Sequence, residues 1–353
     1  MSDDKLTYHE QVDRENTLKL REHLAALPLF VGTFFRGIHD TTSSRTQIAY
    51  AFDLKNFFEY LHNNNPELQK MEIRDFPIDI LEKITKIDIE EYLLHCELYK
   101  KGDKVLTNKE RGKMRKLSSI KSMYNYFYKS ELIKSNPAAL VDMPKMHEKE
   151  IIRLDPNEVA ELLDSVEEGS HVTKGEQRYY NKTRLRDLAL LTLLLGTGIR
   201  VSECVGLNIE DVDFDNNRIK IYRKGGYETV VYFGDEVRDA IINYLDERNS
   251  NIKTADNKGP LFLSMQNKRI GVRTVEILVK KYTSRTNTLK KITPHKLRST
   301  YGTNLYKESG DIYLVAEVLG HKDVNTTRKH YAAIDEEGKR RAAKMVTLRE
   351  DKK

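Results

Sequence analysis

Near the end of the chain, "HKDVNTTRKHYAAID" at residues 321–335 places Tyr331 ten residues after His321, a histidine that follows a glycine. A phenol is a poor nucleophile at neutral pH, because its ordinary pKa is about 10. If Tyr331 does chemistry, other residues must supply positive charge and a route for its proton. Two segments offer such groups. In "LLLGTGIRVSE", Arg200 opens a helix directly after an apolar run, so its guanidinium is expected to be partly buried. A buried guanidinium demands an anion, and Glu203, one turn on, can orient it from the same helix face. In "TPHKLRSTYGTNL", Thr293 can cap a helix, Pro294 suits its first position, and His295 and Arg298 share one face. A helix N-terminus favours anions through its free N–H groups and dipole, so a His and an Arg aimed there read as phosphate ligands. His321 stands just beyond a helix closed by Gly320.

Taken singly these groups have ordinary explanations: a structural Arg–Glu pair, a surface His–Arg pair, a loop histidine. A nucleotide-binding reading of Gly196 and Gly198 fails on two counts. Val201 stands where the dinucleotide fingerprint needs its third glycine, and a buried helix precedes the motif where a strand is required.

The elements that must position these residues are legible as patterns. "SRTQIAYAFDLKNFFEYLHNN" carries Ile48, Phe52, Phe57, Tyr60 and Leu61 at helical spacing. "IDIEEYLLHCELYKK" predicts a second helix with Asp88 as its cap. "LSSIKSMYNYFYKSELI" predicts a third, with Leu117, Ile120, Tyr124, Phe127 and Tyr128 on one side. Pro137 and Pro144 then break regular structure, so residues 1–146 read as a helical domain and residues 147–353 as a second one. The second domain opens on a sharp helix start: Asp155 as N-cap, Pro156 at the first position, Glu158 at the third. "RLRDLALLTLLLGTG" is apolar nearly all round, which marks a buried central helix. "NRIKIYRKGGYETVVYF" alternates around Lys224-Gly225-Gly226 and predicts a β-hairpin. Helices are expected near 273–283, 294–308, 311–319 and 323–331, with a further candidate in "EEGKRRAAKMVTL".

Composition bounds the function. The 353 residues are 32% charged and 39% hydrophobic, with no apolar run near the roughly 18–20 residues that span a bilayer. The acidic, polar N-terminus is no signal peptide. Cys96 and Cys204 fall in helix-like apolar patterns and read as buried thiols, without the ligands for a metal site. A cytoplasmic, metal-free protein is expected. The net charge of +6 is concentrated: residues 100–121 hold nine Lys or Arg against two acidic residues. A basic loop running into a helix start suits a duplex backbone, and Lys113, Arg115, Lys116 and Lys121 are the expected DNA contacts. A solvated charge run with no ligand is the bland alternative.

In chain order, Arg200, Lys224 in a hairpin, His295-x-x-Arg298, Gly320-His321 and Tyr331 resemble the tyrosine recombinase (phage integrase) family. The match runs through "GTGIRVSE", "RKGG", "TPHKLRST", "LGHKDVNTT" and "HY". The resemblance implies a mainly α protein with a small β-hairpin or sheet. A helical, SAM-like core-binding domain over 1–146 would precede a mixed α/β catalytic domain over 147–353. Within the family the layout is similar to Xer-type recombinases, and the extra N-terminal length to the single-protein XerS type. It further implies that Tyr331 attacks a DNA phosphodiester to give a 3′-phosphotyrosyl link. Arg200 and Arg298 would grip non-bridging oxygens and His295 would take the tyrosine proton or hold the phosphate. Lys224 would protonate the departing 5′-oxygen, His321 would donate to the phosphate, and Glu203 would orient. Tyr301, Tyr306 and Tyr313 are expected to pack instead. No cofactor is implied. The partners implied are duplex DNA with paired half-sites, a homo-tetramer on that DNA, and an FtsK-type translocase; no membrane is involved. The role implied is chromosome dimer resolution, with integration or excision of a mobile element as the alternative. A catalytically inert DNA-binding protein and a type IB topoisomerase are less favoured.

Overall fold

The computed structural model describes residues 6–145, 152–169, 172–223, 227–251, 259–286, 288–321 and 324. The chain divides into two compact units, Met1–Lys149 and Glu150–Lys353. Both are dominated by helices, and small antiparallel sheets complete them.

The first unit begins with α1 (Tyr8–Leu24), α2 (Val31–Gly37) and α3 (Ser44–Asn64). Helix α1 is an addition to the elements expected from sequence. It is polar along much of its length but opens on a reciprocal cap between Thr7 and Glu10, and it packs on α3. Next come α4 (Ile80–Lys83) and α5 (Lys86–His95). The cap of α5 is Thr85, and Asp88 is the third-position partner that returns a bond to it. The basic stretch is not one loop. It makes a short hairpin, β1 (Tyr99–Lys101) and β2 (Lys104–Leu106), and then enters α6 (Glu110–Lys129). Phe34, Phe57, Phe58, Leu117, Ile120, Tyr124 and Phe127 are fully buried together. Phe52 and Tyr128, expected in that core, stay 43% and 50% exposed.

One ion pair lies inside this core. Lys116 is 2% exposed, with its ammonium 3.5 Å from Asp53 Oδ1, while Arg115 reaches the same oxygen at 2.8 Å. Asp53 is itself buried, and its Oδ2 has no partner among the described residues. Burial raises the Asp53 pKa, against the attraction of Lys116 and Arg115. Such a pair specifies an arrangement at a cost in desolvation. Asp53→Leu alone strands the Lys116 ammonium and is expected to cost about 3–5 kcal/mol. Asp53→Leu with Lys116→Met is expected to match or exceed the natural protein. Amide hydrogen exchange in α3 and α6 reads both outcomes; equal losses in the single and double variants would refute this account.

The second unit starts with α7 (Pro156–Glu168), capped by Asp155 and Glu158 as expected. Helix α8 (Gln177–Thr197) is the axis of the unit, with residues 189–191 and 193–194 fully buried. After α9 (Val201–Gly206), strands β3 (Val212–Asp213), β4 (Arg218–Tyr222) and β5 (Glu228–Tyr232) form an antiparallel sheet in sequence order. Ile219, Ile221 and Val231 face the core, and Arg218 and Lys220 face out. Helix α10 (Asp235–Asn251) packs on α8, so closely that a Cβ on Gly196 would lie 2.5 Å from Val237. Then follow α11 (Val272–Thr283), α12 (Pro294–Ser309) and α13 (Ile312–Leu319). Cys96 and Cys204 are buried free thiols. No helix among the described residues is long and apolar enough to cross a membrane.

Candidate active site

Three segments of the second unit meet at the C-terminal end of α13, and the meeting is made by guanidinium groups on backbone carbonyls. The last carbonyls of any helix lack partners within it. Here Gly320 adopts the left-handed conformation (φ 62°), and its N–H donates to Glu317 O at 2.8 Å. The His321 N–H donates to Ala316 O at 2.9 Å, which completes a Schellman turn. The remaining carbonyls go to arginines. Arg223 donates to Val318 O at 2.8 Å and Glu317 O at 3.5 Å, Arg298 to Leu319 O, and Arg200 to Gly320 O at 3.5 Å. The negative end of the helix dipole is thereby matched with cations.

Arg200 lies at the N-cap of α9. Its backbone N–H and its Nη1 both donate to the Glu203 carboxylate, each at 2.7 Å. Glu203 is buried (3% side-chain exposure), whereas the Arg200 side chain keeps 38%. The carboxylate is therefore the anchor and the guanidinium the presented group, as the sequence suggested. Arg269 fixes the other end of the short α9, donating to Val205 O, Leu207 O and Asn208 Oδ1. The helix that carries this pair is held at both ends.

Arg298 is 6% exposed and bridges two chain reversals. Its Nη1 donates to Gly198 O at 2.7 Å, and its Nη2 to Leu319 O. Gly198 closes α8 with φ 63°, and a Cβ there would lie 2.4 Å from the Tyr301 ring. Glycine is thus required at this turn for backbone conformation and for contact. Tyr301 is in its packing role, and burial raises its pKa. Tyr313, expected to pack, is 71% exposed.

His295 is exposed in the first turn of α12, one turn before Arg298. His321 is half-buried directly after the Gly320 turn. Arg200, Arg298 and the backbone leading into His321 are thus brought together. Lys224, Tyr331 and the helix expected over 323–331 fall outside the described residues, apart from Val324. Arg223 is a further member of this cluster, absent from the residues expected from sequence. Burial and the like charge of Arg200 push its guanidinium below the ordinary value, with Glu203 opposing. An arginine between an alternating stretch and a Gly-Gly pair was the available signal, but its carbonyl partners have no signature in sequence.

The expected DNA contacts in α6 fare unequally. Lys116 is corrected: its place on the inward face of α6, paired with buried Asp53, removes it from any surface. Arg115 is shared with the same carboxylate but stays 45% exposed, Lys113 pairs with Glu97 at 2.5 Å, and Lys121 is half-buried. Among the described residues, no group of three or more His, Cys, Asp or Glu is placed to hold a metal ion.

Comparison with known proteins adds relatives and neighbours in fold. The model described as "Phage integrase family" matches residues 152–337. A tyrosine recombinase XerC of Caldanaerobacter subterraneus subsp. tengcongensis is 31% identical over 318 residues, 88% of this chain and 83% of that relative. A tyrosine recombinase XerD of Oceanobacillus iheyensis is 28% identical, over 83% of this chain and 88% of the relative. Among solved structures, XerH site-specific recombinase bound to palindromic difH substrate, a post-cleavage complex, superposes with a TM-score of 0.63 at 20% identity. It covers 86% of this chain and 81% of that one, and the likeness is one of fold.

Proposed function

The chain belongs to the phage integrase family, and on that premise we propose that it is a site-specific tyrosine recombinase of the Xer type. It cuts and rejoins DNA through a 3′-phosphotyrosyl intermediate. The observation that carries this reading is the pinning of Arg200 and Arg298, far apart in sequence, to the consecutive carbonyls of Gly320 and Leu319. Fixed guanidinium forks suit the non-bridging oxygens of a phosphodiester, and groups held in place before the substrate arrives need no reorganisation as charge builds up.

The reaction follows from the residue types. The Tyr331 oxygen attacks phosphorus while its proton passes to His295 or to water. The bond from phosphorus to the 5′-oxygen breaks, and that oxygen leaves with a proton from Lys224. Arg200, Arg298 and His321 offset the negative charge on the non-bridging oxygens, and Glu203 holds Arg200. Attack by the 5′-hydroxyl of another strand reverses the sequence and restores the tyrosine. Phosphoester bonds are exchanged without net hydrolysis, so no nucleotide cofactor is required by the chemistry.

The first unit serves as the core-binding domain, with exposed groups such as Arg115 meeting backbone phosphates. Two DNA sites with paired half-sites are brought together by a homo-tetramer. Chromosome dimer resolution in the cytoplasm, directed by an FtsK-type translocase, is the role we propose for that activity.

Covalent capture tests the proposal. The protein is incubated with sheared DNA from its source cells and denatured, and DNA attached to protein is sequenced. One recurring palindromic site, joined to the peptide containing Tyr331, is the expected result. No adduct, on nicked or intact DNA, would leave a DNA-binding protein without recombinase chemistry.

A further inference from the structure

Arg223 stands at the exit of β4, immediately before Lys224 in the chain. Its backbone N–H donates to Tyr227 O at 2.9 Å, extending the β4–β5 ladder by one rung. Its side chain leaves the sheet for the end of α13, where both Nη atoms meet carbonyls. The approach is close: a Cβ on Gly320 would lie 1.5 Å from Arg223 Nη1, so glycine alone lets the guanidinium lie against that turn. The Nε is buried and has no partner among the described residues, while the two Nη atoms carry the side chain's carbonyl bonds.

We propose that Arg223 is a positioning residue: it clamps the end of β4 to the same helix end that Arg200 and Arg298 grip, and thereby places Lys224 for proton delivery. The reasoning is covalent. Adjacent Cα atoms are about 3.8 Å apart, so fixing Arg223 confines where its neighbour's side chain can start. The phosphate grips and the proton donor then share one reference point, the C-terminal turn of α13. A displacement of about 1 Å at a reacting group can cost about 100-fold in rate, which makes such a shared reference consequential. This inference rests on the assignment of Lys224 as the general acid.

The test uses the site recovered by covalent capture, made as a nicked duplex with either oxygen or sulfur as the bridging 5′ atom. A thiolate leaves without a proton, because a thiol pKa lies near 8.5. With oxygen, Lys224→Ala is expected to slow adduct formation by about 10²–10⁴-fold, the usual worth of a general acid. Arg223→Met is expected to slow it by about 10–100-fold, within the loss that misplacement causes. With sulfur, both variants return close to the natural rate. Arg223→Met added to Lys224→Ala costs nothing more with oxygen, because the proton donor it positions is already gone. Arg223→Lys, which keeps one cation at the helix end, falls between Arg223→Met and the natural protein.

Failures are separable. If Lys224→Ala is not rescued by sulfur, the general-acid assignment falls and this inference with it. If Lys224→Ala is rescued but Arg223→Met is not, or if the two losses multiply in the double variant, Arg223 acts elsewhere and this inference alone falls. A general loss of folding in Arg223→Met slows both substrates equally and counts as that second result.

Discussion

Tyr331→Phe leaves a protein that binds its DNA site and never becomes attached to it. Only the phenolic oxygen is lost, and no other group in the proposed chemistry can form the ester that conserves bond energy. Binding is expected to change little, since one hydroxyl contributes about 0.5–1.5 kcal/mol at most through a hydrogen bond. Adduct formation is expected to fall below detection on nicked and intact DNA alike. The competing tyrosines in the catalytic unit give the experiment its edge. Tyr301 packs on Gly198 and burial raises its pKa, which makes it a poor nucleophile. Tyr313 is 71% exposed, so exposure does not rule it out. An adduct that persists in Tyr331→Phe and disappears in Tyr313→Phe would move the nucleophile to α13 and dismantle the proposed geometry.

What could be read from the sequence was what is local. Asp155, Pro156 and Glu158 announce α7 because a reciprocal cap is written within four residues. Helix α8 and the β4–β5 pairing were legible for the same reason: an apolar run and an alternating pattern need no distant partner. Arg200 with Glu203 was legible because one helical turn separates them. Helix α10 was overlooked although Val237, Ile241 and Tyr244 recur at helical spacing and are buried; its charged outer face dilutes the pattern. Lys116 was misplaced because charge counts say nothing of helix phase. It adjoins Leu117 on the inward face, and its partner Asp53 lies on α3, 63 residues away. Arg223 and Arg269 were invisible in a stricter sense. Their partners are main-chain carbonyls, which every residue carries, so no pairing of side chains could signal them. The proposed chemistry therefore rests on a set of residue types in order, while the scaffold that holds two of its groups at one helix end was not legible in that order.

That scaffold makes Arg298 the residue whose loss should hurt twice. Arg298→Ala is expected to slow adduct formation by about 10²–10³-fold, the cost of one preorganised donor at developing oxyanion charge. It also strands the carbonyls of Gly198 and Leu319. An unsatisfied buried acceptor costs about 1–3 kcal/mol, so the catalytic unit should lose about 2–6 kcal/mol in chemical denaturation. Arg298→Lys separates the two effects. An ammonium keeps the charge but has no planar fork, so it cannot bridge both carbonyls and also serve a phosphate oxygen. Stability is expected to recover in part, through one of the two carbonyls, while adduct formation stays slow. The two turns that Arg298 ties are the end of α8, which leads into Arg200, and the end of α13, which leads into His321. If a lysine there restored the full rate, charge alone would suffice, and a shared anchor for these turns would not be what the reaction depends on. If it restores stability without rate, the fork itself is the catalytic element, and the burial of Arg298 is what keeps it aimed before any phosphate arrives.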